Sequence, residues 1–476
     1  MNNQINFFDL YEKADVHAHC FELDNMYYMY DYYYDVIIRI SKEVKKCYEY
    51  FLEGNKEYKN YKIEFEFLQE LFSEGLLISK YSLPDRFDDT AYISFAPVYG
   101  CNFRCKYCFG EHGENYLGTE KKFSIQLMKN VLNIFVDKWY PESKHYRVDF
   151  VSGGEPLLNF DMIKETIDYI EKMQKEKGKN ISVWICTNGS LLNDEICTYL
   201  DAHNVSIGVS IDGEKKKHDK CRIDINGNGT YELVVEKIKK ILNNKKYSRK
   251  FRNIWGLSVV SQNNYNILQI INHNKKLGLK NIQIKLVRSN NDDLDVEAIN
   301  YEYYILCEKI YDEFVGGKFD IIKNIANNND YFGKILKRIL LHQVVDRRCW
   351  AGVKKVAVCP DGTVYPCDSF VGKTEFCLGN YKEIKQVDST FDKMNVDNRR
   401  KCKECSIKYI CGGDCYYNSY INNADIGLPS SKFCEIQKNI INRCIELKLR
   451  MLEYNKNLYD QIIRTLTLKD GYMIRS

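Results

Sequence analysis

The sequence predicts an α/β protein built on an incomplete, TIM-type (β/α)6 barrel, with a small N-terminal domain before it and a cysteine-rich domain after it. Three observations carry this. Between residues 91 and 288 six apolar strand-like runs alternate with helical patterns, as in parallel strands joined by crossover helices. The first 88 residues follow a different rhythm of strand, helix, helix and strand. Ten of the 19 cysteines fall into two sequence-local groups, one after the first barrel strand and one near the C-terminus. At 476 residues, two or three domains are expected.

Taken in order, VHAHCFELD alternates as a strand does. DVIIRISKEVKKCYEYFLEG then puts Val36, Ile37, Ile40, Val44 and Tyr48 at helical spacing. A second amphipathic stretch, EFEFLQELFSEGLL, ends at Gly75 and runs into LISKYS, a short strand. This is a winged-helix-like pattern over residues 1–88, and SLPDRFDD is a polar, turn-rich linker. The barrel spans 92–310, its strands being AYISFAPV, YRVDFVSG, ISVWICTN, SIGVSID, IWGLSVVS and IQIKLVR. Six units are too few for a closed eight-stranded barrel. A bridging helical region covers 311–345, the cysteine-rich domain 346–445, and a C-terminal helix 446–476.

Composition narrows the function. Hydrophobic residues at 45% and charged residues at 28% are ordinary for a soluble globular protein, and no apolar run approaches the roughly 18 residues of a membrane span. A formal charge of +4 from 69 basic and 65 acidic residues makes no case for nucleic acid as a partner. The N-terminus lacks the basic start, apolar stretch and cleavage site of a secretion signal, so the cytoplasm is expected. In that compartment clustered cysteines read as metal ligands rather than disulfides. Cys20, Cys47, Cys186, Cys197, Cys221, Cys307, Cys359, Cys377 and Cys444 lie outside the clusters, mostly among apolar neighbours, and are expected as buried small hydrophobes.

Cys101, Cys105 and Cys108 can turn inward within one tight loop and hold three corners of a cubane 4Fe-4S cluster, leaving the fourth iron open to a ligand. A zinc knuckle would want a fourth Cys or His nearby, and His112 is the one candidate. The CNFRCKYCF run, with Tyr107 before the last cysteine, resembles the signature of the radical S-adenosylmethionine (SAM) superfamily. The resemblance implies that SAM chelates the open iron and is cleaved to a 5′-deoxyadenosyl radical that abstracts hydrogen from substrate. It extends to Gly153, Gly154, Glu155 and Pro156, similar to the GGEP motif that binds the methionine amino group. Thr187 and Asn188 in CTNGSLL match a strand-end segment near the cofactor, and Ser210, Asp212 and Arg222 in VSIDGEKKKHDKCR match a segment placed around its ribose and carboxylate.

Cys349, Gly362, Cys367, then Cys402-x2-Cys405-x5-Cys411-x3-Cys415 and Cys434 resemble the SPASM module, a double-cluster extension of peptide- and protein-modifying radical SAM enzymes. The resemblance implies an outer cluster on Cys402, Cys405, Cys411 and Cys434 and an inner one on Cys349, Cys367 and Cys415, making three 4Fe-4S clusters in all. Many family members supply a further inner ligand six residues after the first cysteine; here that position is Lys355. Cys359, in a hairpin turning at Asp361-Gly362, and Cys377 are the nearby substitutes, and an open inner iron is the preferred reading.

The winged-helix-like segment resembles the recognition element of maturases of ribosomally made peptides, where a leader peptide adds a strand. CFGEHGENY and YPCDSFVGKTEFCLGN further resemble maturases that join a cysteine sulfur to carbon. The expected function is therefore thioether formation in a precursor peptide, with an electron donor such as flavodoxin or ferredoxin. The runner-up is sulfatase-maturing formylglycine formation, with Asp368 beside Cys367 as catalytic base and the N-terminal extension against it, and carbon–carbon crosslinking or epimerisation comes third. A non-catalytic iron-sulfur carrier would have no use for GGEP.

Overall fold

The computed structural model describes residues 15–16, 18–32, 34–79, 89–151, 153–262, 264–288, 294–326, 331–385, 387 and 390–474. Strand β1 (Asp15–Val16) is followed by a meander of β2 (Ala18–Leu23), β3 (Met26–Asp31) and β4 (Val36–Ile40), then helices α1 (Lys42–Leu52) and α2 (Lys62–Ser73) and strand β5 (Ile78–Ser79). β1 and β5 pair antiparallel. The expected helix over 35–54 is corrected here: its first third is a strand. Val36–Ile40 is rich in β-branched residues and pairs with Met26–Asp31, and Ser41 then caps α1 by accepting from Val44 N at 3.1 Å. The expected strand LISKYS contains β5, and residues 80–88, with its last residues and most of the expected linker, lie outside the described residues.

The meander has two apolar faces at the period of a strand. Ala18 and Met29 point to α1 and α2, joining Val44, Cys47, Tyr48, Phe51 and Leu68. Phe21, Leu23, Tyr28 and Tyr30 point the other way into the main core, with Ile270, Ile284 and Ile441. The N-terminal segment is thus built into the body of the protein.

Six strands follow: β6 (Thr90–Phe95), β7 (His145–Phe150), β8 (Asn180–Thr187), β9 (Ser206–Ser210), β10 (Trp255–Val260) and β11 (Asn281–Leu286). They pair parallel in chain order, at the six predicted positions. Near-continuous burial of Ile93, Phe95, Val148, Phe150, Ile185, Ile207 and Val209 is what a sheet covered by helices requires. The sheet does not stop at β6. β12 (Lys355–Val358) pairs parallel with it, Lys355 opposite Tyr92 and Val358 opposite Phe95, and β13 (Thr363–Tyr365) and β14 (Gly379–Asn380) continue antiparallel. Although β11 and β12 flank opposite sides of the six-stranded run, Arg288, just past β11, donates to the Ser369 hydroxyl, just past β13. The barrel's open side is therefore spanned by the C-terminal module.

Two expected boundaries fall inside helices and are corrected accordingly. Val296–Val315 runs through the 310/311 division, and Ser431–Tyr454 runs through 445/446, because both bury continuous apolar faces in the main core. Among the described residues no helix is long and apolar enough to cross a membrane.

Candidate functional site

The site lies at the C-terminal ends of the barrel strands. After β6 the chain turns through Cys101, Cys105 and Cys108, and this loop is stitched to the turn after β7. Gly100 N donates to Gly153 O at 2.9 Å and Glu155 N to Gly100 O at 3.0 Å. Gly154 has φ +156°, and a Cβ there would stand 1.9 Å from Gly100 O, so only glycine lets the two turns approach.

Glu155 is buried and starts the following turn at Pro156. Its carboxylate accepts from Thr187 Oγ1 (2.6 Å), Asn188 N (2.7 Å) and Leu157 N (3.2 Å), and it has no ion pair among the described residues. Burial pushes its pKa up to about 7, against these three bonds. Asn188 also donates to Asn102 Oδ1 at 2.9 Å and lies 3.8 Å from Cys101 Sγ. On the other side of the loop, Tyr107 donates to Asp212, which also receives Arg222 Nε (2.8 Å), Arg222 Nη2 (3.3 Å) and Val259 N (2.9 Å). The Arg222 guanidinium lies 5.4 Å from the Tyr107 ring centroid. Asp212 is thus fully engaged by protein, holding the cysteine loop to the ends of β9 and β10. Ser210, the last residue of β9, is half-buried at the same rim. His112 turns its ring to Cys105 O at 3.1 Å while its N–H points at Cys108 Sγ.

The ten predicted cysteines gather in three groups. Cys101, Cys105 and Cys108 bear on one another electrostatically; so do Cys349, Cys367 and Cys415; so do Cys402, Cys405, Cys411 and Cys434. Burial raises most of these thiols, with Cys105, Cys367, Cys402 and Cys434 pushed up to about 12. Arginines stand by to offset thiolate charge: buried Arg399 near Cys402, buried Arg338 and half-buried Arg348 near Cys411, and half-buried Arg288 near Cys415 and Cys367. Among the described residues no three His, Cys, Asp or Glu side chains close to the spacing of a single ion. A cluster takes one thiolate per iron, and sets of three, three and four thiols with cationic neighbours fit that demand.

Lys355 donates to Asp368 Oδ1 at 3.0 Å, beside Cys367. Cys359, whose thiol contacts the Tyr99 hydroxyl at 3.4 Å, faces Cys377 and Asp361, while Cys377 is exposed. Two lumen cations escaped the sequence reading, Lys285 on β11 and Arg288 after it. Burial lowers Lys285 to about 8. An inward-facing lysine in a strand of apolar alternation was the available signal.

Residues 95–281, which hold the cysteine loop, the GGEP turn and the Asp212–Arg222 pair, match the sequence profile of the Radical SAM superfamily. The chain carries a radical SAM domain. Around it, the chain is 28% identical over 367 residues to the cysteine-type anaerobic sulfatase-maturating enzyme of Clostridium novyi, covering 72% of this chain and 92% of that one. The structure of anSMEcpe with bound AdoMet superposes with a TM-score of 0.64 at 20% identity, over 79% of this chain and 97% of that one. Streptococcus suis SuiB bound to precursor peptide SuiA gives 0.50 at 12% identity, over 88% and 99%. These likenesses place the fold of the radical SAM domain and its flanking regions within one architecture.

Proposed function

We propose that the protein is a peptide maturase that joins a cysteine sulfur to a carbon of a ribosomally made precursor. When bound, SAM on the Cys101–Cys105–Cys108 cluster supplies a hydrogen-abstracting 5′-deoxyadenosyl radical. The chain's own residues do the rest. Glu155, with one acceptor site left and no cationic partner among the described residues, receives the cofactor's ammonium. Tyr107, Asp212 and Arg222 hold the cysteine loop in place, and Thr187, Asn188 and Ser210 line the rim beside it. Cys402, Cys405, Cys411 and Cys434, and Cys349, Cys367 and Cys415, would hold two auxiliary clusters, which would supply acceptors for the surplus electron.

The observation that carries the thioether reading is the Lys355–Asp368 pair. The residue standing where a further inner thiolate is common is an ammonium, and it turns to a carboxylate, leaving three thiols in the inner set. Such a set has room for a substrate thiolate. The β2–β4 meander supports a leader-docking role, since among the described residues β4 pairs only with β3 and leaves an edge. Formylglycine formation is the second reading, favoured by the sulfatase-maturating relatives and by Asp368 following Cys367. The test is mass spectrometry of a Cys-containing precursor from a neighbouring reading frame: a thioether removes two hydrogens and consumes the thiol, whereas formylglycine leaves an aldehyde that hydrazines capture.

A further inference from the structure

Among the described residues, several charged groups facing the barrel lumen are held in ion pairs. Arg147 meets Asp149 at 2.6 Å, Lys355 meets Asp368 at 3.0 Å, and Arg222 meets Asp212 at 2.8 Å. Glu155 is bound by neutral donors. Lys285 has no hydrogen bond or ion pair among the described residues. It is half-buried on β11, opposite Val259, with Cys186, Arg288, Lys355 and Asp368 as the ionisable groups around it. Among the described residues, Arg288 beside it has only a hydroxyl, Ser369, and the face of Phe109 at 4.7 Å. Phe109 directly follows Cys108, and Ser369 lies two residues after Cys367, so these two cations sit between the radical-generating loop and the inner cysteine set.

We propose that Lys285, assisted by Arg288, binds the side-chain carboxylate of an aspartate or glutamate in the peptide substrate. An ammonium removed from bulk water without a counter-charge costs free energy, and an incoming carboxylate recovers it with charge-assisted hydrogen bonds. Placement between the two cysteine sets puts that acidic residue where its carbon skeleton faces the radical source. The inference rests on the peptide-maturase reading and names the residue type that reading leaves open. The same ammonium could instead serve the carboxylate of SAM, and the test separates the two.

Cluster-loaded full-length protein, saturated with SAM, is titrated calorimetrically with N-acetyl-aspartate N-methylamide and with its asparagine counterpart, in wild type and in Lys285→Met and Lys285→Arg. The aspartate probe should bind at least about tenfold more tightly than the asparagine probe, Lys285→Met should erase that preference, and Lys285→Arg should keep it. Equal binding of the two probes, no binding of the aspartate probe, or a preference that survives Lys285→Met overturns the proposal. So does a Lys285→Met variant that keeps the aspartate preference but loses SAM affinity. If that variant fails to fold, the wild-type preference and Lys285→Arg still decide. None of these readouts needs turnover, so failure of the maturase reading registers separately, as absence of peptide modification.

Discussion

Asp212→Asn removes the charge on which the site's framework converges. Asp212 and Arg222 side chains are only 3% and 8% exposed, and Asp212 also receives Tyr107 and Val259 N. An asparagine keeps the shape but leaves a buried guanidinium without its counter-charge, and breaking a buried pair from one side typically costs about 3–5 kcal/mol. At about 2–4 °C per kcal/mol for a cooperative unit of the barrel's size, the melting temperature should fall on the order of 6–20 °C. Arg222→Met alone should be comparably costly. The double variant Asp212→Asn with Arg222→Met should lie well short of the sum, since neither partner is then left charged and alone. Scanning fluorimetry of the four proteins closes the cycle. Additive losses, or a single-variant shift within error of zero, would refute the claim that this pair holds the cysteine loop.

Four further outcomes are expected. Anaerobically reconstituted protein should hold about twelve irons, and replacing Cys101, Cys105 and Cys108 together by Ala should leave about eight and stop 5′-deoxyadenosine release; finding zinc, or unchanged iron, sinks the three-cluster assignment. Asp368→Asn should slow thioether formation only modestly, whereas loss of a positioned base in formylglycine formation costs ~100- to 10,000-fold, so a collapsed rate with an aldehyde product favours the second reading. Deleting residues 1–88 should abolish peptide modification and also lower the melting temperature, because Phe21, Leu23, Tyr28 and Tyr30 leave the main core; an unchanged melting temperature contradicts that packing. His218 is buried, accepts from Asp212 N at 3.3 Å, and is lowered from 6.5 to about 4 by burial. The unfolded imidazole takes a proton below 6.5 and the folded one only near 4, so its contribution is full above 6.5 and is lost as pH falls toward 4. His218→Asn should flatten part of that acid-side loss in a melting-temperature profile, and an identical profile would discount it.

The six barrel strands were legible because the helix-covered face writes apolar residues at alternate positions, as in YRVDFVSG and SIGVSID. The cysteine sets were legible for a different reason: their spacings are local within each loop, and the loops sit at strand ends. What could not be read was anything fixed by pairing across the chain. β12 joins β6 over some 260 residues of intervening sequence, and nothing in KVAV announces that neighbour. Val36–Ile40 fits a helical wheel and a strand equally well; the decision came from β3 beside it and from Ser41. Lys285 and Lys355 look like surface lysines until the curled sheet turns them inward.

One contact described by its packing also sets an order of events during synthesis. His19 on β2 hydrogen-bonds Ser406 at 2.7 Å and Asn442 at 2.8 Å, the latter 423 residues further along the chain. Translation at about 5–20 residues per second leaves roughly 20–85 seconds between the emergence of the meander and that of the helix that covers it. Through that interval Phe21, Leu23, Tyr28 and Tyr30 lack the part of their cover that Ser431–Tyr454 supplies, and Cys405, next to Ser406, has not yet been made for most of it. Completion of the N-terminal unit and gathering of the last cysteine set therefore fall together once residues 434–442 have emerged, and a nascent-chain chaperone or an iron-delivery step acting then would meet both at once.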